Sequence, residues 1–198
     1  MRRMITGMQM TLDGMIEAPD GAVDFVSSWE EDYGMPGEAD LCLLGSGMYP
    51  TYERYWQTII DAPDQPLADV GRPPLADEVA YARWAVRTPH VVLSRTMESA
   101  LWPQTRFARS IEEVAALRQG EGGAIYVVGG AQTVAALTDA DLIDEWRFIL
   151  HPVALGAGKP LFATLAQRQG FALVDSRAQS DGSVRLTYRR GGGLSARR

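Results

Sequence analysis

The chain is poor in the residues that most often do chemistry unaided. Of its 198 residues one is a cysteine, Cys42, and two are histidines, His90 and His151. A single thiol excludes an intrachain disulfide, and its setting in "ADLCLLG" is that of a small apolar core residue. Such usage fits a reducing, cytoplasmic setting. The histidines stand far apart, each in an apolar, strand-like context, and nothing around them has metal-ligand spacing. No metal centre is expected, and both histidines read as structural. Positive charge is also scarce: 19 Lys and Arg against 25 Asp and Glu give a net charge of −6. That balance argues against a general affinity for nucleic acid or for acidic membranes. No apolar run approaches the ~18 residues of a membrane span. The opening "MRRMITGMQMTLDGM" has an Arg pair but no apolar segment behind it, so no export signal is expected.

Several signature motifs are missing too. No G-x-G-x-x-G follows a strand; "GSGMYP" starts that way, but Pro50 stands where the third glycine belongs. There is no Walker A sequence, and no serine sits in a G-x-S-x-G elbow. The standard dinucleotide fingerprint, the P-loop and the usual α/β-hydrolase are set aside on those grounds.

What is present is an alternation of strand and helix. Residues 3–10 read as a strand, followed by the turn "TLDG"; 39–44, "ADLCLL", read as a strand buried on both faces. Residues 61–74 hold four of the eleven prolines and read as an irregular loop, with a helix after Pro74. "HVVLSRT" (90–96) and "AIYVV" (124–128) read as buried strands. "SIEEVAALRQG" reads as a helix capped by Ser110 and Glu113 and stopped at Gly120, and "AQTVAALTDA" as another. "DEWRFILHPVAL" begins as a strand; residues 171–190 read as a hairpin about Asp181-Gly182, and the tail 191–198 as disordered. Apolar content of 46% over this length suits one domain with a sizeable core, residues 1–190. The expected fold is α/β: a mainly parallel central sheet, helices on both faces and an antiparallel C-terminal hairpin.

Three segments share one design, a buried strand whose C-terminal end meets small or polar residues: "LCLLGSGMY", "VVLSRT" and "IYVVGGAQT". Ligands of open α/β sheets bind beyond such strand ends, glycine lets backbone come close, and helix N-termini favour anions. Ser94 and Arg95 would offer a hydroxyl and a fork-shaped cation suited to a phosphate monoester. The residues themselves carry the reading as far as an anion-binding, nucleotide-type site.

Together "MQMTLDGMI", "LLGSGMY", "VVLSRT" and "IYVVGGAQTVAALTDADLIDEWRFILHPVALGAGKPLF" resemble the dihydrofolate reductase-like family that includes the C-terminal reductase domain of riboflavin biosynthesis. The resemblance runs from about Met4 to Tyr188 and implies a dihydrofolate reductase-like fold and NADPH as cofactor. By it, Val128, Gly129, Gly130, Ala131, Gln132 and Thr133 would lie at the cofactor pyrophosphate. Ser94, Arg95 and Thr96 would lie at the adenosine ribose and its 2′-phosphate. Gly45 to Tyr49 matches the motif LLGR-x-TY with Ser46 in place of its arginine, so Gly45 and Ser46 join the cofactor set. The loop 11–16 would lie near the nicotinamide, with Asp13 as proton source. Leu12, Trp29 and Tyr49, and Trp56 as well, are candidates for a substrate slot. The implied activity is hydride transfer to a small heterocyclic or carbonyl substrate by a homodimer. A nucleotide- or pterin-binding protein without turnover stands as the alternative, ahead of a ligand-free scaffold.

Overall fold

Strand β1 (Met4–Thr11) runs through the middle of the molecule with buried residues at nearly every position. This follows from a sheet covered on both sides, where alternation of apolar and polar residues is lost. The computed structural model describes residues 1–26, 33–68 and 70–191. After β1 come β2 (Met15–Glu17), α1 (Met35–Glu38), β3 (Ala39–Gly45), α2 (Tyr49–Asp61), α3 (Ala76–Ala85) and β4 (His90–Leu93). Then follow β5 (Thr105–Ala108), α4 (Ile111–Ala116), β6 (Ala124–Gly129), α5 (Ala131–Asp139) and β7 (Glu145–His151). The chain ends in β8 (Lys159–Pro160), β9 (Phe171–Ala178) and β10 (Val184–Arg190).

The main sheet has the order β5-β4-β3-β6-β1-β7-β10-β9, parallel from β5 to β7, with β10 and β9 antiparallel at one edge. This is the α/β fold expected of the sequence, with helices on both faces. One face carries Tyr49, Tyr52, Trp56 and Ile59 of α2 with Tyr81, Ala82 and Ala85 of α3. The other carries Val114 of α4 and Ala131, Val134 and Leu137 of α5. The terminal hairpin turns where Gly182 takes φ +87°. Ser110 caps α4 by accepting from the Glu113 amide, but the Glu113 carboxylate reaches the Arg109 amide rather than that of Ser110.

Helices α1 and α2 and the short strands β2, β5 and β8 escape the sequence reading. The spacing of Tyr49, Tyr52, Trp56 and Ile59 is that of one helical face, and all four are buried. Pro50 sits in the first turn of α2, where a missing N–H costs nothing. β5 is four residues long, and β2 pairs with β8 in a two-stranded ribbon of its own. Strands so short carry too little periodicity to be read. The strand placed at 90–96 ends at Leu93, because Ser94 Oγ accepts from the amides of Thr96 and Met97 and turns the chain.

The α2–α3 face is dense in aromatic rings and encloses His90. Its ring lies 5.0 Å from that of Trp102, 5.7 Å from Tyr52 and 5.9 Å from Tyr49. Its Nδ1–H donates to the Thr88 carbonyl, and Nε2 has no partner. Burial pushes the imidazole down to about 4 from its ordinary 6.5. The folded state therefore holds His90 neutral, and the unfolded chain binds a proton that the fold does not. Stability present above pH 6.5 is lost as pH falls toward about 4. Between pH 7 and 4.5 this one group should remove about 2 kcal/mol. His90→Phe, which keeps a ring in place without a titrating proton, will show a shallower acid loss in urea titrations at the two pH values. Parallel losses in the two proteins would assign the acid sensitivity elsewhere.

Candidate functional site

Pairing between β1 and β6 stops at Thr6 and Val127, where the Thr6 hydroxyl donates to the Val127 carbonyl. Beyond that point Gly7–Thr11 pairs only with β7, as far as Thr11 against His151. β6 meanwhile continues against β3 to Leu44 and Gly129. The two central strands thus part company at their C-terminal ends and open a crevice at the place where such sheets receive ligands.

Gly129 and Gly130 form the lip of that crevice. Their φ values are +136° and +44°, both in the region that L side chains rarely adopt. Helix α5 starts directly after them, with Gly130 as its N-cap and no side-chain cap. A Cβ at Gly129 would lie 3.0 Å from Met8 Cε and 3.4 Å from Met48 Sδ; at Gly130 nothing is nearer than Met48 Cβ, at 3.9 Å. Backbone conformation, more than space, is what requires glycine at 130. Met48 Sδ accepts the Gly130 N–H at 3.3 Å.

The neighbouring strand ends complete the site. Gly45 ends β3, and a Cβ there would sit 2.2 Å from Thr133 Oγ1, so the first turn of α5 packs against bare backbone. Ser46 and Gly47 are exposed on a tight turn closed by the Met48 amide donating to the Gly45 carbonyl at 3.1 Å. Ser94, at the end of β4, has its Oγ engaged in the turn described above. The Arg109 guanidinium clamps that turn by donating to the carbonyls of Ser94 and Met97. Arg95 and Thr96 are exposed on it. Gln132 is exposed, whereas the side chains of Val128 and Ala131 are buried on opposite faces of the sheet and offer a ligand only their backbone. Gly45, Ser46, Ser94–Thr96 and Val128–Thr133 therefore meet at the ends of three adjacent strands.

The remaining expectations fare differently. Leu12 is 64% exposed on the β1–β2 turn. Asp13 does not have the geometry of a proton donor. Its carboxylate accepts from the Thr11 hydroxyl at 2.5 Å and from the amides of Leu155 and Gly156 at 3.1 and 2.7 Å. Those bonds, Thr11 first, hold its pKa below the usual carboxylate value. It is an ionised tether between two loops. Tyr49 is fully buried and cannot line an open slot; its hydroxyl donates to Glu53 and meets Thr105 Oγ1 at 2.6 Å. Trp56 is likewise core. Trp29 lies outside the described residues. Among the described residues no group of three or more His, Cys, Asp or Glu could hold a metal ion.

Two further polar side chains stand near the C-terminal ends of β1 and β7: Gln9, which the sequence reading did not single out, and His151, which it read as structural. Gln9 on β1 and His151 at the end of β7 are buried and joined at 2.7 Å, with Phe25 edge-on to the imidazole. Burial lowers the His151 pKa against the opposing pull of Asp181. The pattern was available in the sequence: Gly7, Gln9 and Thr11 alternate with Met8 and Met10, so one face of β1 turns small and polar at its C-terminal end.

Residues 2–185 match the family described as the RibD C-terminal domain. The chain belongs to that family. It is 31% identical over 192 residues to the uncharacterized protein YyaP of Bacillus subtilis (strain 168), covering 94% of each chain. It also resembles a Shewanella sp. PV-4 protein provisionally assigned to riboflavin biosynthesis, with TM-score 0.68 and 22% identity over 96% of this chain and 99% of that one. Dihydrofolate reductase from Enterococcus faecalis, complexed with NADP(H), superposes with TM-score 0.55 and 14% identity over 96% and 97% of the two chains. The RibD C-terminal domain here thus has the dihydrofolate reductase-like fold, and its neighbours include reductases.

If Asp13 is a tether, Asp13→Ala will speed amide hydrogen exchange at Leu155 and Gly156 while hardly moving Tm. The same loss of protection, taken relative to the intrinsic exchange rate at each pH, will appear in the wild type once pH falls through the lowered carboxyl pKa. Unaltered exchange at both amides would show that the carboxylate does not hold the loops together.

Proposed function

We propose that this protein is an NADPH-dependent reductase that delivers hydride to a small heterocyclic or carbonyl compound. The observation that carries the reading is the Gly129-Gly130 turn. Two successive positive-φ glycines deliver the uncapped N-terminus of α5 to the mouth of the β1–β6 crevice. Side-chain-free backbone leading into a helix N-terminus that no side chain caps fits a pyrophosphate. The exposed Arg95 guanidinium, two strands away at the end of β4, fits a 2′-phosphate. When bound, NADPH supplies the hydride; the chain binds it, positions the substrate and keeps water out. The Gln9–His151 pair is the polar surface that a substrate in the crevice would meet. Phe25, beside His151, offers it an apolar wall.

A binding protein of the same fold without turnover is the second reading. It is favoured by Ser46 in the place of the motif's arginine and by the engaged carboxylate of Asp13. Oxidation of NADPH in the presence of candidate pterins, pyrimidines and carbonyl compounds separates the two. In our reading the protein is also a homodimer. Strand β9 is an edge strand that exposes Leu173 and Val174, the kind of edge that a second copy would cover. Among the described residues no helix is long and apolar enough to cross a membrane.

NADPH at about a hundred times its Kd will stabilise the protein by about 2.7 kcal/mol in thermal melts. A flat response to NADPH, NADH and flavins alike would remove the cofactor, and the reductase with it. Arg95→Ala will weaken NADPH by roughly ten- to a hundredfold, from the loss of charge-assisted hydrogen bonds worth about 1.5–3 kcal/mol, and will leave NADH nearly unchanged. Equal losses for both cofactors would show that Arg95 does not read the 2′-phosphate.

A further inference from the structure

Met48 stands where the motif LLGR-x-TY has its threonine, and the structure gives it an unusual occupation. It is the N-cap residue of α2, yet its side chain caps nothing in α2. Its thioether crosses to the next strand and accepts the Gly130 N–H at 3.3 Å. Gly130 is the N-cap of α5 and the residue through which the backbone turns toward the crevice. Met8 closes the other side, with Cε 3.0 Å from where a Gly129 Cβ would be. The glycine turn is therefore bracketed by two thioethers, and one of them holds an N–H that an anion would need.

We infer that Met48 is a displaceable plug: it competes with the cofactor's pyrophosphate for the Gly130 amide and so sets how tightly the site binds. The inference rests on the reductase reading for the identity of the anion. Sulfur is a weak acceptor, and methionine has three rotatable bonds. The plug therefore keeps the amide paired while the site is empty and can swing aside when a better acceptor arrives. A phosphate oxygen, being charged, wins that contest. The cost of displacement is the net value of one weak hydrogen bond, which lowers affinity by about two- to fivefold. Ser46 acts in the same direction, because it offers no cation where the motif has arginine. The two departures together describe a site tuned toward loose binding and fast exchange of its anion.

Met48→Leu tests this directly. Leucine conserves volume and removes the acceptor, so the fold is kept. The full ¹⁵N-labelled chain is compared with wild type by the Gly130 amide resonance and its exchange rate, and by titration with NADPH and with inorganic pyrophosphate. In the variant the Gly130 proton should move upfield and exchange faster, and both ligands should bind about two- to fivefold more tightly. An unmoved Gly130 resonance would overturn the inference, because the thioether would not then hold the amide. So would a moved resonance with unchanged affinity for both ligands. Tighter pyrophosphate with no binding of NADPH to either protein would leave the plug standing and remove the reductase reading. Failure of both ligands to bind either protein would remove both.

Discussion

The parting of β1 from β6 after Thr6 and Val127 is the constraint on which the site depends. Upstream of it, both strands are locked into one ladder and packed on both faces. Downstream, each keeps a single partner, β7 for β1 and β3 for β6. A sheet can split in this way only if the freed backbone finds other partners, since a buried, unpaired peptide group is expensive. The Thr6 hydroxyl takes one carbonyl, and the Met48 thioether takes an amide beyond it. Glycine at 129 and 130 then lets the chain leave the sheet at once. The crevice, the Gly129-Gly130 turn and the start of α5 are three aspects of one separation.

That separation also explains why the loops beyond it are tied so firmly. With β1 paired on one side only, its turn into β2 would be loose. Asp13 gathers the turn by bonding to Leu155 and Gly156 of the segment after β7, and β2 joins β8 from the same segment. Gly158 passes close enough to the Glu17 carbonyl that a Cβ would lie 2.3 Å from it. The opposite end of the sheet is held by charge: Glu145 is bonded by both Arg147 and Arg189, and Arg147 reaches on to Glu38. One end of the sheet is pinned, and the other is left open within a frame.

Much of this was legible in the sequence. Short continuous apolar runs ending in glycine marked β3 and β6, and the Asp-Gly pair marked the last hairpin. The positions of Gly45, Gly129, Gly130 and Arg95 at strand ends followed from those runs. What stayed hidden depended on register and on contacts between distant segments. No local pattern says that Tyr49 points into a nest of rings and not toward a ligand; its burial is decided by α3, β4 and the turn at Trp102. Asp13 reads as a turn residue or an acid until the segment around Gly156 is brought against it. His151 reads as one more strand residue until β1 is laid beside β7 in register.

The short turn from Gly45 to Met48 joins two regions with opposite needs. On one side it borders the crevice; on the other it delivers Tyr49, fully buried, into the aromatic nest around His90. Lengthening or shortening the turn by a residue would rotate that ring out of its seat. Diversification at this strand end is thereby steered toward exchange of side chains at fixed length. Positions 46 to 48 can exchange side chains beside the crevice, but the turn's path is held by a core on its other side.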